Sequence, residues 1–104
     1  MKALSSDPCG AVHPAAYLHP EARVDPSAVV APFAYIEAGA CLGAGVRIGS
    51  RAFVGTGVEV GEGSFIDTGA VVGSIAPSGG RVVLGRGVRV REYAVVEAGL
   101  DVPT

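Results

Sequence analysis

Aliphatic residues recur along this chain with a period of six. The column of aliphatic positions runs without interruption from Val12 to Val72, is broken at Ser78, and resumes in phase at Leu84. A small residue, most often Ala, stands two places before nearly every aliphatic position. An amphipathic helix would require spacings of about three, four and seven residues, so the pattern excludes a helical fold.

Glycine punctuates the same repeat. The chain has 16 glycines in 104 residues, and almost all of them stand one or three places after an aliphatic position. The later place suits a turn with a positive φ angle. A short strand with its first and third side chains inward, followed by a corner, fits this unit, and stacked coils of such units bury the aliphatic column. The repeat predicts an all-β parallel solenoid shaped as a triangular prism of about five coils.

The repeat also divides the single domain into segments. They are a lead-in at 1–10, β-helix coils at 11–72, an extruded loop at 73–83, and the last coils with a C-terminal tail at 84–104. The loop is predicted because Ser78 breaks the column and Pro77 cannot donate a hydrogen bond to a sheet. Val72 and Leu84 lie two hexads apart, so either one irregular unit stays in the coil or six residues are inserted.

Charge and composition narrow the possible partners and cofactors. A net charge of −2 provides no basic surface for nucleic acid, and no apolar run is long enough to span a membrane. The N-terminus has no apolar export segment, so a cytoplasmic location is expected. Cys9 and Cys41 have no metal-ligand or redox spacing and are expected to be thiols with a structural role. No cofactor is expected.

Four arginines cluster toward the C-terminal end of the chain: Arg81, Arg86, Arg89 and Arg91. Such a group of like charges is typical of a solvated surface. An anionic ligand is the alternative interpretation of the cluster.

Three short phrases lie on the repeat: Val12-His13-Pro14, Ala31-Pro32-Phe33, and Arg91-Glu92 followed by Tyr93-Ala94-Val95-Val96. The hexads are similar to those of the left-handed β-helix transferases. The phrases resemble the V/I-H-P, G-P-F and R-E-S-V-T-I stretches of the UDP-N-acetylglucosamine O-acyltransferase family of lipid A biosynthesis. The similarity covers residues 12 to about 100. It implies the left hand of the helix, since ordinary parallel crossovers are right-handed.

The resemblance implies transfer of a hydroxyacyl chain from acyl carrier protein to a nucleotide sugar. The family's catalytic His lies on a coil further along than this chain extends, so no catalytic residue is assigned and the chain alone is expected to be inactive. His13 and His19 are the only two imidazoles; they lie on successive faces of the first coil and are expected to have structural or solvent-facing roles. Two His are also too few for a zinc site, so no metal is expected. The alternative is a non-catalytic trimeric scaffold or regulatory partner.

The outward residue before each aliphatic position indicates how copies associate. One face collects Tyr17, Tyr35, Phe53 and Val71; a second collects Ala11, Val29, Arg47 and Phe65; the third collects Arg23, Cys41 and Glu59. The first two faces are apolar, and exposed apolar patches usually mark association. We expect a homotrimer, as in the resembled family, with these interface candidates: Tyr17, Val29, Tyr35, Phe53, Phe65 and Val71. Aromatic rings lying flat on a monomer surface are the alternative.

Overall fold

The computed structural model describes residues 11–73 and 82–97. These residues contain no helix and form fourteen strands, each two residues long and shorter than expected. The strands are β1 (Ala11–Val12), β2 (Tyr17–Leu18), β3 (Arg23–Val24), β4 (Val29–Val30), β5 (Tyr35–Ile36), β6 (Cys41–Leu42), β7 (Arg47–Ile48), β8 (Phe53–Val54), β9 (Glu59–Val60), β10 (Phe65–Ile66), β11 (Val71–Val72), β12 (Val83–Leu84), β13 (Arg89–Val90) and β14 (Val95–Val96).

The strands form three parallel sheets, one on each side of a triangular coil. Sheet A has the order β1-β4-β7-β10-β13, sheet B has β2-β5-β8-β11-β14, and sheet C has β3-β6-β9-β12. The first coils pair residues 18 positions apart, as Ala11 pairs with Val29. The predicted all-β, left-handed parallel β-helix is confirmed. Three complete coils run continuously from Ala11 to Val60, and β10 to β14 continue the same three sheets.

The register of the coils changes once. Val60 pairs with Leu84 and Ile66 with Val90, so these partners are 24 positions apart instead of 18. Six more residues than the repeat requires therefore separate β11 from β12. Residues 74–81, which make up most of the loop predicted at 73–83, lie outside the described residues, whereas Val83 belongs to β12.

The interior is formed by the predicted aliphatic and small-residue columns. Ile36, Ile48 and Ile66 are completely or almost completely buried, and each such side chain contributes roughly 1.5–3 kcal/mol to folding. Aliphatic side chains toward the two ends of the described prism, such as Leu18 and Val96, are only partly buried. The core is therefore a single axial column with its best packing at mid-length.

The two glycine columns serve different purposes at the corners. Gly39, three places after an aliphatic residue, has a φ of 74°, in the left-handed region that favours glycine. Gly61, one place after, has an ordinary φ, but a Cβ there would lie 2.5 Å from the carbonyl of Gly85 in the next coil. One column turns the chain, and the other lets successive coils approach closely.

Candidate functional site

Sheet B carries a stack of aromatic rings on its outer surface. The ring centroids of Tyr17 and Tyr35 are 4.5 Å apart with an interplanar angle of 28°, and those of Tyr35 and Phe53 are 5.7 Å apart with an angle of 24°. The stack follows from the register, because in-register parallel strands place equivalent side chains about 4.8 Å apart. Tyr17 and Tyr35 remain 41% and 43% exposed.

The other interface candidates extend this surface over two faces. Val71 follows Phe53 on sheet B, whereas Val29 and Phe65 lie on sheet A. Arg47 separates Val29 from Phe65 along sheet A. The structure thus brings the four sheet B candidates into one column and places the two sheet A candidates on the adjacent face. The two faces meet at the corner between sheets A and B, which we call the AB corner.

The AB corner contains every non-glycine residue with a positive φ among those the structure describes. Phe33, Arg51 and Tyr93 have φ angles of 67°, 62° and 61°. Each stands three places after an aliphatic residue, where most coils have glycine at the other corners, as at Gly39 and Gly45. A left-handed conformation costs an L-residue roughly 1–2 kcal/mol, so these side chains are held at an energetic cost.

A large residue three places after an aliphatic residue, where glycine is usual, is the sequence signal of these strained corners, and it was missed. Phe33 and Tyr93 stand in two of the three short phrases of the sequence, Ala31-Pro32-Phe33 and the stretch that begins at Arg91. Tyr93 has a local role, since its ring lies where a side chain at Gly69 would be. Phe33 is 63% exposed and makes no ring stacking contact with the described residues.

The two histidines act as hydrogen-bond acceptors at separate corners of the first coil. Nδ1 of His13 accepts from the backbone N–H of Ala15 at 2.9 Å, and Nδ1 of His19 accepts from Glu21 at 3.0 Å. His13 belongs to the AB corner, and His19 belongs to the corner between sheets B and C. Both imidazoles therefore stabilise turns, and they are not brought together at one site.

Asp25 performs the same function at the next corner. Its carboxylate accepts hydrogen bonds from the Ser27 hydroxyl at 2.5 Å and from the Ser27 backbone N–H at 2.9 Å. These two bonds lower the pKa of Asp25 below its ordinary value of 3.8. The position directly after the aliphatic residue thus accepts a backbone N–H whether it is occupied by His or by Asp.

The arginine cluster is joined to carboxylates. Nε and Nη2 of Arg89 lie 3.2 Å from Oδ2 of Asp67, which is 4% exposed, and Nε of Arg91 lies 3.7 Å from the same oxygen. Arg86 pairs with Glu62 at 3.3 Å. Arg81 lies outside the described residues. The described arginines of the cluster are exposed but already paired, so an anionic ligand would have to compete with these carboxylates.

Arg89 also contacts an aromatic ring on sheet A. Its guanidinium carbon lies 5.0 Å from the ring centroid of Phe65, which is within the range of a cation–π interaction. The outer surface of sheet A therefore combines apolar and cationic groups.

The third face has an open groove of about 720 Å³ along sheet C. Its outer lining includes Arg23, Cys41, Glu59 and Val83, with Arg86 at the following corner. Cys41 is a free, half-buried thiol. Val83 is 61% exposed, so this face is less uniformly polar than its first three outward residues suggested.

Residues 11–73 and 82–97 contain no group of three His, Cys, Asp or Glu side chains that could hold a metal ion. Within the same ranges, no helix is long and apolar enough to cross a membrane.

No protein-family model matches the chain, and no curated protein sequence matches it. The six-residue repeat and the three parallel sheets define the class of the protein as a parallel β-helix, which is compatible with the β-helix superfamily.

Proposed function

We propose that this chain is a non-catalytic scaffold that assembles as a homotrimer through sheets A and B. The observation that carries the proposal is the placement of the aromatic side chains. The chain has three Tyr, three Phe and no Trp. None lies in the buried core, and all six stand on the outside of sheets A and B or at the AB corner: Tyr17, Phe33, Tyr35, Phe53, Phe65 and Tyr93.

This distribution is unusual for a folded domain. Aromatic side chains bury large apolar areas and usually contribute to the core or to interfaces. Here the axial core is filled by Ala, Val, Ile and Leu, so the aromatic side chains are not required to fill it. A contiguous aromatic surface over two adjacent faces is what a second copy of the chain would cover.

The positions of the histidines support a role without catalysis. A general base must lie within hydrogen-bond reach of the reacting group, and a second group usually orients it. His13 and His19 occupy different corners, and the Nδ1 atom of each is engaged by a backbone N–H. Turn stabilisation accounts for both residues.

Acyl transfer is the second candidate function. Its reaction would take a hydroxyacyl chain from acyl carrier protein to a nucleotide sugar, as the resemblance of the three sequence phrases implies. The structural observation in its favour is the open groove on sheet C, where Arg23 offers a guanidinium group to an anionic substrate and Arg86, which is paired with Glu62, lies at the following corner.

Light scattering coupled to size exclusion tests the scaffold proposal. At micromolar concentration we expect a mass three times that of the monomer. Tyr35→Asp, which places a charge within the ring stack, should give monomers, whereas the matched change Arg23→Asp on sheet C should leave the trimer intact. A monomeric wild-type protein would contradict the proposal.

An activity assay separates the two candidates. The purified full chain would be incubated with hydroxyacyl-loaded acyl carrier protein and UDP-N-acetylglucosamine, and acylated sugar nucleotide would be measured by mass spectrometry. We expect no turnover above background. Turnover that is lost in His13→Ala would establish the second candidate in place of the first.

A further inference from the structure

Phe33 and Arg51 have positive φ angles and large side chains, but no ring stacking or ion pair with the described residues accounts for the size of these side chains. Tyr93 covers Gly69, but Phe33 makes no ring stacking contact, and Arg51 makes no ion pair, with the described residues. Glycine would adopt the same backbone without the steric cost and does so in the other corners, for example at Gly39. A strained conformation that is retained with a large side chain points to a use for that side chain outside its own chain.

The surfaces on either side of the ring stack of Tyr17, Tyr35 and Phe53 carry opposite charge. On one side, Arg47 on sheet A and Arg51 at the AB corner are exposed and have no carboxylate within 4.0 Å in the described part of the chain. On the other side, the corner between sheets B and C carries Glu21 and Glu37 and, within the described residues, no Lys or Arg. Charge complementarity of this kind sets which surfaces meet.

A ring of three copies requires this kind of asymmetry. In a cyclic trimer each contact is heterologous, so one surface of a subunit meets a different surface of the next. Two faces that flank one corner, with cations on one side and carboxylates on the other, satisfy that requirement. Three prisms that share an axis along the AB corner would bring sheet A of one copy against sheet B of the next.

The heights of the charged groups along the prism also agree. Arg47 follows Glu37 by ten positions in a coil of 18 residues. Because one coil rises by the inter-strand spacing of about 4.8 Å, the two residues differ in height by roughly 3 Å. This offset is within the reach of an arginine side chain.

The ring stack offers Arg47 a second contact. Desolvation raises the pKa of the Tyr35 hydroxyl, and the nearby Glu37 carboxylate raises it further. A guanidinium approaching Glu37 from another copy therefore meets the Tyr35 ring as well. Within one chain, Arg89 over Phe65 shows the same combination of guanidinium and ring on sheet A.

We infer, on the basis of the proposed homotrimer, that sheet A of each copy docks on sheet B of the next. In this arrangement the AB corner lies at the symmetry axis, and Arg47 contacts the Tyr35 and Glu37 side chains of the neighbouring copy. The partner is thus a second copy of this chain, bound through a directional charge pair. Phe33 and Arg51 lie beside this contact, at the shared corner.

Charge reversal tests the pairing. The association constant of the full chain would be measured by sedimentation equilibrium for wild type, Arg47→Glu, Glu37→Arg and the double variant. Each single reversal should weaken trimer formation at least about tenfold, because it places like charges opposite each other. The double reversal should restore association to within about threefold of wild type. Arg23→Glu on sheet C is the matched control and should have no effect.

The possible failures can be distinguished. A monomeric wild-type chain overturns the proposed scaffold function and the pairing together. A wild-type trimer that is insensitive to both single reversals overturns the pairing alone. Arg47 and Glu37 of the same chain form no ion pair with each other, so rescue by the double variant reports contact between copies. Circular dichroism at a concentration that dissociates the trimer should give matching spectra for all variants, so that a loss of association reports the interface and not unfolding.

Discussion

The fully buried hydroxyl of Ser64 donates a hydrogen bond to the carbonyl of Gly85 at 2.8 Å. The same oxygen accepts from the backbone N–H of Val88 at 3.0 Å. In the other described corners, the residue equivalent to Val88 donates directly to the carbonyl three positions earlier, as Val46 does to Gly43. Ser64 thus bridges a corner that elsewhere closes on itself, and it connects the coil before residues 74–81 to the coil after them.

Because Ser64 bridges the Gly85 carbonyl and the Val88 N–H, replacing it with Ala and replacing it with Val should cost different amounts of stability. Ser64→Ala removes the hydroxyl and leaves room for the corner to close directly, so it should cost about 0.5–1.5 kcal/mol, the net value of a hydrogen bond. Ser64→Val fills the space with methyl groups and leaves the Gly85 carbonyl and the Val88 N–H without partners. That variant should cost about 2–6 kcal/mol, since each of the two unsatisfied groups adds about 1–3 kcal/mol.

Urea unfolding at fixed protein concentration measures both variants of Ser64. Ser50→Ala, at a corner where the hydroxyl makes no hydrogen bond to the described residues, is the control and should change the free energy of unfolding by less than about 0.5 kcal/mol. A Val variant as stable as the Ala variant would show that the bridge is unimportant.

Asp67 is expected to stabilise the same junction through charge. Its carboxylate is 4% exposed and receives Arg89 and Arg91 from the following coil. Asp67→Asn keeps the shape but removes the charge, and should cost about 1.5 kcal/mol, the lower end for hydrogen bonds to charged groups, because both guanidinium groups are largely exposed.

The exposed ion pair between Glu62 and Arg86 provides the comparison for Asp67. Glu62→Gln should change the free energy of unfolding by no more than about 0.5 kcal/mol, and by less in 1 M salt. Equal losses for the two variants in thermal or urea unfolding would mean that burial of Asp67 does not strengthen its pairs.

Features that depend on neighbouring residues could be predicted from the sequence, whereas features that depend on residues far apart in the chain could not. The inward columns and the three faces follow from side-chain alternation within one hexad, which is why Ile48 and Tyr35 were placed correctly on the inside and the outside. The role of Ser64 was not predictable, because its partner lies 21 positions away in a register that six extra residues have shifted. The strained backbone of Phe33 was missed because the corner was interpreted as a family phrase instead of a break in the glycine column.

The turn-stabilising role of His19 predicts which replacements the first coil accepts. His19→Ala removes the acceptor of the Glu21 N–H, so hydrogen exchange at that amide should accelerate severalfold. His19→Asp should restore protection, because Asp25 performs the same function for Ser27 one corner later.

NMR-detected hydrogen exchange at Glu21 gives the rates for the His19 variants. The amide of Ala28, which donates to the backbone carbonyl of Asp25, serves as the internal control and should be unaffected by changes at His19. Unchanged exchange at Glu21 in His19→Ala would show that the imidazole does not hold the turn.

Asp25 makes the stability of the fold depend on pH, and this stability decreases as the pH falls. The hydrogen bonds from Ser27 hold the folded-state pKa of Asp25 below 3.8, so the folded chain binds this proton less readily than the unfolded chain does. The associated stability is fully present above the unfolded-state pKa and is lost as the pH falls from about 3.8 through the lower folded value.

A carbon-detected NMR titration should place the midpoint of Asp25 below 3.8, and Ser27→Ala should raise it, because the hydroxyl bond is the largest cause of the shift. Glu92 is the control: its pKa is lowered by its own backbone N–H, so Ser27→Ala should leave its titration unchanged. A midpoint for Asp25 that is the same in wild type and Ser27→Ala would contradict the assignment of the shift to this corner.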